Sequence, residues 1–140
     1  MSQDIEYDEI NSPKHYNSHE SGIEAIEITR WLIGGLSNMW KYAMRYEDKG
    51  TPKKDLGKLC YYGRDFIKNY KPTLDSSVPK LVVPHRVLNL MSLVIREEPV
   101  EEIRTIMSDI RKISMGDYEH FDKMGENLDK IEEYSLTFSN

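Results

Sequence analysis

The chain reads as all-α: a small domain of three helices, a linker, and a C-terminal helical segment that ends in an antiparallel helix pair. Two observations predict this. Apolar residues recur every three to four positions through most of the chain, and no stretch alternates apolar with polar as a half-buried strand would. Proline, glycine and serine clusters then divide the periodic stretches into helix-sized pieces.

Residues 1–20 read as an acidic tail and a loop, with Asn11, Ser12, Pro13, Asn17 and Ser18 supplying turn chemistry. A first helix is expected from Ser21 to Ile33. Ser21 and Glu24 have capping-box spacing, and Gly34-Gly35 would end the helix. A second is expected from Leu36 to Tyr46, broken by Asp48-Lys49-Gly50. Thr51 then caps a third helix with Pro52 at its first position, running to Tyr70. These elements make a domain over 21–71. Pro72, Pro79 and two serines mark residues 72–80 as a linker, and 81–140 form the C-terminal region. There the spacing predicts helices from Pro84 to Arg96, from Pro99 to Ile113 and, after Met115-Gly116-Asp117, on to Tyr134. Val100, Ile103, Ile106, Met107, Ile110 and Ile113 make one apolar stripe. Tyr118, Phe121, Met124, Leu128 and Ile131 make another, so the last two helices should pair antiparallel across a short turn.

Composition narrows the function. The 140 residues carry a net charge of −5, so a general nucleic-acid binder, which needs a cationic face, is not expected. The apolar run from Leu81 to Ile95 is interrupted by Pro84, His85, Arg86 and Asn89, so no membrane partner is expected. The same run is apolar nearly all round as a helix, which points either to deep burial or to the interface of a homo-oligomer. A single cysteine, Cys60, and a polar, acidic N-terminus suit a reducing cytoplasm. Cys60 lies on an apolar face and reads as a small buried hydrophobe. Gly57 and Gly63, unfavourable inside a helix, read as close-packing positions.

The second helix holds the most suggestive chemistry. Asn38, Lys41, Tyr42 and Arg45 fall on one stripe, offering two fixed positive charges, an amide and a phenol. That set suits a phosphate with a base or sugar beside it; the alternative is a solvated face with an exposed tyrosine. The third helix carries a similar stripe of Asp55, Lys58, Tyr62 and Asp65. Ahead of both, Pro13-Lys14-His15-Tyr16 could read an anion near a helix N-terminus. Glu24 and Glu27, one turn apart, could orient the cations, hold a metal or only cap.

Pro13-Lys14-His15-Tyr16, Gly22 to Glu27, Leu36 to Tyr42 with Arg45 and Lys49-Gly50, and Asp55-Leu56-Gly57-Lys58 with Tyr61-Tyr62 together resemble the SaV-like small phage family over residues 13–70. Ser37, Glu47-Asp48 and Arg64-Asp65 depart from that pattern. One branch of the family is described as a nucleotide kinase without a Walker loop, and this chain has no G-x-x-x-x-G-K-[ST] pattern either. The resemblance implies a phage-encoded nucleotide-binding protein in the host cell cytoplasm, with deoxynucleoside monophosphate kinase activity as its enzymatic form. It implies catalytic roles for Lys41, Arg45 and His15, and substrate-binding roles for Tyr16, Glu24, Glu27, Asn38, Tyr42, Asp55, Lys58 and Tyr62. The cofactor stays open, with Mg²⁺ the candidate and no metal ligand assigned. A second reading is a non-catalytic binder that sequesters a nucleotide or engages a host protein. A third rests on Glu98-x-x-Glu101 and Glu126-x-x-Asp129. Facing each other across the helix pair, they would match the Mg²⁺ site of all-α nucleoside triphosphate pyrophosphohydrolases.

Overall fold

A computed structural model describes residues 19–70 and 82–140. Over them the chain is all-α, in six helices: α1 (Ile26–Thr29), α2 (Gly34–Arg45), α3 (Pro52–Tyr70), α4 (His85–Glu97), α5 (Glu101–Ser114) and α6 (Phe121–Ser135). A 3-10 turn, Tyr118–His120, leads into α6. The expected loop at Pro13–Tyr16 and the expected linker at 72–80 lie outside the described residues.

The first expected helix shrinks to four residues. Ser21 does not form the capping box with Glu24. Its hydroxyl instead accepts from the Ile23 N–H at 3.2 Å, and Gly22 takes a positive φ of 74°, which turns the chain. Glu27 reaches back to the Glu24 N–H at 3.0 Å, so one half of a capping interaction forms a few residues late. Gly34-Gly35 does not merely end this segment. It begins α2, because Ile33 is extended and Gly34 has φ 25°. A Cβ on Gly35 would stand 3.1 Å from the Tyr62 carbonyl oxygen and from Phe66 Cβ, so the missing side chain lets α2 close on α3.

Pro99 does not open α5. The Glu98 carboxylate accepts from the Val100 N–H at 2.9 Å and holds Val100 extended, which delays the helix to Glu101. The α5–α6 pairing follows the two stripes: Ile103, Ile106, Met107 and Ile110 meet Phe121, Met124, Leu128 and Ile131 in the core. Gly63 is a close-packing position, since a Cβ there would lie 2.8 Å from Leu128 and 3.0 Å from the Met39 methyl. Gly57 is not one: it is exposed and nothing crowds it.

The two regions separated by the expected linker share one core. Phe66 of α3 stacks on Phe121 of α6 with centroids 5.5 Å apart and planes at 7°. Tyr46, just after α2, hydrogen-bonds the Tyr134 hydroxyl at 2.9 Å. Arg64, on the outer side of α3, bridges Asp129 at 3.1 Å and Glu132 at 2.9 Å. Helix α4 is not apolar all round in its folded setting. Val87, Leu88, Met91 and Val94 are buried, while Asn89, Ser92 and Arg96 face outward and Leu93 is exposed. The burial that suggested an interface is thus largely met within the protomer.

Cys60 is buried, with its thiol 3.7 Å from the Leu128 carbonyl oxygen. Burial pushes the thiol up from 9.0 to about 11. A thiol so raised presents about a hundredfold less thiolate at neutral pH than an ordinary one, and only the thiolate is nucleophilic. Alkylation of Cys60 by iodoacetamide should therefore be negligible in the native protein and rapid in denaturant. Mass spectrometry showing native-state labelling at the rate of an unfolded control would contradict this burial.

Candidate functional site: a basic cluster around Tyr42

Helix α2 presents Tyr42 and Arg45 one turn apart, and α3 packs across them. Neither is the exposed group that a solvated stripe would show: Tyr42 is 8% and Arg45 4% exposed. The phenol ring is the floor of the arrangement. Lys41 Nζ lies 5.0 Å from its centroid, Lys58 Nζ 5.7 Å and the Arg45 guanidinium carbon 5.8 Å. Three cations thus gather on one ring, each within cation–π range. Tyr62 stacks on Tyr42 with centroids 6.2 Å apart and planes at 12°, and Tyr61 meets Tyr62 edge-on.

Bringing like charges together has an electrostatic consequence. The Lys41 ammonium is held below the usual lysine value, first by burial and then by Arg45, Lys49 and Lys58; Asp55 opposes them. Asp55 sits in the first turn of α3, 2% exposed, and its Oδ2 is buried without a hydrogen-bond partner. A buried carboxylate oxygen in that state is costly, and a nearby cation or a ligand donor would relieve it. Positive charge outweighs negative here, on a chain that is acidic overall.

Several sequence-selected residues meet in this cluster: Lys41, Tyr42, Arg45, Lys58 and Tyr62 by contact, and Asp55 through its charge. Asn38 instead turns back along α2, its amide donating to the Gly34 carbonyl at 3.4 Å. Glu27 is exposed and spent on the Glu24 backbone. Asp65 is exposed and bonds Asn69. His15 and Tyr16 lie outside the described residues.

The four-carboxylate metal arrangement does not form. Glu98 is buried against His19 Nε2 at 3.1 Å, Asp129 is paired with Arg64, and Glu126 lies 3.8 Å from Lys123. Antiparallel packing puts Glu101 in a groove with Lys130 and Glu133. Among the described residues no three His, Cys, Asp or Glu side chains are grouped to hold a metal.

Sequence reasoning missed two buried polar clusters. One is the His19–Glu98 pair. The other is Asp109, 2% exposed, which bonds His120 Nε2 at 2.5 Å and the Asn127 amide at 2.6 Å. A signal existed for the second. Asp109 falls in the apolar stripe of α5 beside Ile106 and Ile110, and Asn127 falls in that of α6 beside Met124 and Leu128.

Fold and site together describe a small all-α protein with a cationic cluster gathered on a tyrosine ring. Residues 10–64, which carry that cluster's helix α2 and most of α3, match the model of a family of unknown function, DUF3310. No curated protein and no solved structure matches the chain. No helix among the described residues is long and apolar enough to cross a membrane.

Proposed function

We propose that the Tyr42 cluster binds the phosphate of a nucleotide, and that the chain is a phage-encoded nucleotide-binding protein of the SaV-like kind. The carrying observation is the convergence of Lys41, Arg45 and Lys58 on one buried phenol. Such a set gives an anion several charge-assisted donors in a partly desolvated place, where each is worth more than in water. Tyr61 and Tyr62 add aromatic surface beside the charges, which a base or sugar can use.

In the enzymatic form of this reading the protein is a deoxynucleoside monophosphate kinase. Lys41 and Arg45 hold the phosphoryl group as it moves between acceptor and donor oxygens, and the family resemblance gives His15 and Tyr16, which lie outside the described residues, a part in the same site. Positioning and positive charge supply most of the rate effect in such chemistry, and Mg²⁺ on the donor phosphates is its usual companion. The non-catalytic alternative uses the same cluster to sequester a nucleotide or to engage a host protein. A homo-oligomer formed through residues 81–95 would use the partly buried Leu90 and the exposed Leu93 of α4 and the exposed Val82.

Turnover separates these forms. Incubating the protein with each labelled deoxynucleoside monophosphate and a triphosphate donor, with and without Mg²⁺, should yield labelled diphosphate for at least one base. Lys41→Ala should abolish it. Saturable binding with no turnover identifies the sequestering form; neither binding nor turnover ends the nucleotide reading.

A further inference from the structure

A second cationic feature is a cleft where α5 faces the start of α6. It has a volume of about 320 Å³. Arg104, Ser108 and Lys112 line it at four-residue steps along α5, and His120, Lys123 and Asn127 line it from the 3-10 turn and α6. The spacing matters: residues four apart share a helix face, so two faces point their polar groups into one space.

The charges in this cleft are largely uncompensated. The Arg104 guanidinium donates to the Glu98 carbonyl at 2.8 Å, a neutral acceptor. Lys123 has only Glu126, at 3.8 Å and exposed. Lys112 forms no ion pair among the described residues. The one buried carboxylate, Asp109, has both oxygens committed, Oδ1 to His120 and Oδ2 to Asn127. That pairing also fixes the imidazole. Its Nε2 faces an acceptor and so carries the hydrogen, which leaves Nδ1 as the ring's remaining polar atom on a side chain 18% exposed. The His120–Asp109–Asn127 chain orients the ring beside three cations.

We propose that this cleft is a second binding site, distinct from the Tyr42 cluster, for a single phosphate group, either inorganic phosphate or a small phosphomonoester. Arg104, Lys112 and Lys123 supply the charge, Ser108 a hydroxyl, and the Asp109-oriented His120 an Nδ1 that accepts from a phosphate hydroxyl in the neutral ring and donates to a phosphate oxygen in the imidazolium. The neighbouring groove argues for one phosphate rather than a polyphosphate. It continues past Thr105 and Asn127 and is lined by Glu101, Glu102 and Glu133 against one cation, Lys130, so its balance is acidic and would repel a second anionic group.

The test is a titration of the full-length, isotope-labelled protein with inorganic phosphate, followed by the NMR signals of the His120 ring. A saturable shift is expected, absent with sodium chloride at equal ionic strength. In the Lys112→Gln, Lys123→Gln double variant, whose changes are at the surface and should leave the helical spectrum intact, the affinity should fall about tenfold or more. Lys41→Ala should leave this titration unchanged even if it destroys nucleotide binding, so the two sites fail separately. Ring signals that do not move, that move equally with chloride, or that titrate in the double variant as in the parent would overturn the proposal.

Discussion

Replacing Trp40 by alanine is expected to lower the stability of the protein by about 3–5 kcal/mol and the melting temperature by on the order of 10–20 °C. Trp40 is fully buried in α2, and its indole N–H points at the Met44 sulfur 3.0 Å away. The side chain is the largest in the core, and α2 is the helix against which α3 closes. Its neighbours cannot collapse into the space easily. Gly35 already brings α2 and α3 to contact distance, and Met39 and Leu128 both press on Gly63, so little slack remains on that side. The loss should therefore include a cavity contribution as well as the lost transfer free energy. Trp40→Phe, which keeps a ring and sacrifices only the N–H and part of the volume, should lose less than half as much. Urea denaturation checks both. Equal midpoints for Trp40→Ala and the parent would mean that α2 does not pack as described.

Much of this core was legible in the sequence. Leu36, Met39, Trp40, Ala43 and Met44 repeat at helical spacing, and so do Leu56, Leu59, Cys60 and Phe66; all are buried. Period is a strong signal because a helix has one face to hide. Helix ends were less legible, because they depend on local competition. Ser21 spends its hydroxyl on the Ile23 N–H, and Glu98 holds back Val100, neither of which a spacing rule anticipates. The merging of the two expected regions was not legible either. It rests on long-range pairs such as Phe66 with Phe121 and Arg64 with Asp129, and sequence order says nothing about which distant faces meet. Arg64 is instructive. Its position departs from the pattern of the family that residues 13–70 resemble, and it ties α3 to α6.

The candidate site was half legible. The stripe of Lys41, Tyr42 and Arg45 could be read from spacing, but spacing cannot say whether a stripe faces water. Packing of α3 decided that by covering Tyr42 with Tyr62 and bringing Lys58 in from the side. The same spacing rule placed Asn38 in the set, and its amide is instead taken by the backbone one turn earlier. The acidic pairs of the C-terminal region show the opposite failure. Their spacing was right for a metal site, yet a buried histidine and an arginine claim Glu98 and Asp129.

The cluster's own cations give the second large effect. Lys41→Ala and Arg45→Ala should each weaken binding of a deoxynucleoside monophosphate by about 1.5–3 kcal/mol, or about tenfold or more in affinity. Each removes a charge-assisted contact to phosphate. Lys41→Ala is the cleaner variant, because Lys41 is only partly buried, whereas Arg45 is enclosed and its loss will also be felt in stability. Tyr42→Phe should cost less, since the ring under the cations remains. Asp129→Asn, at the exposed bridge to Arg64, should leave binding unchanged, and would weaken it if the acidic pairs held the ligand. The pH dependence has a defined sign. Burial and the neighbouring cations hold Lys41 below the usual lysine value in the empty protein, and a bound dianion would favour its charged form. Affinity should thus be greatest where Lys41 is protonated and should fall as pH rises through that lowered value toward the ordinary 10.5. The phosphate is already a dianion there, so it contributes nothing to the decline. In Lys41→Ala the decline should flatten. Titration calorimetry across the alkaline range measures all of this, and a Lys41→Ala protein that binds every nucleotide as tightly as the parent, with the same pH profile, would remove the cluster from consideration.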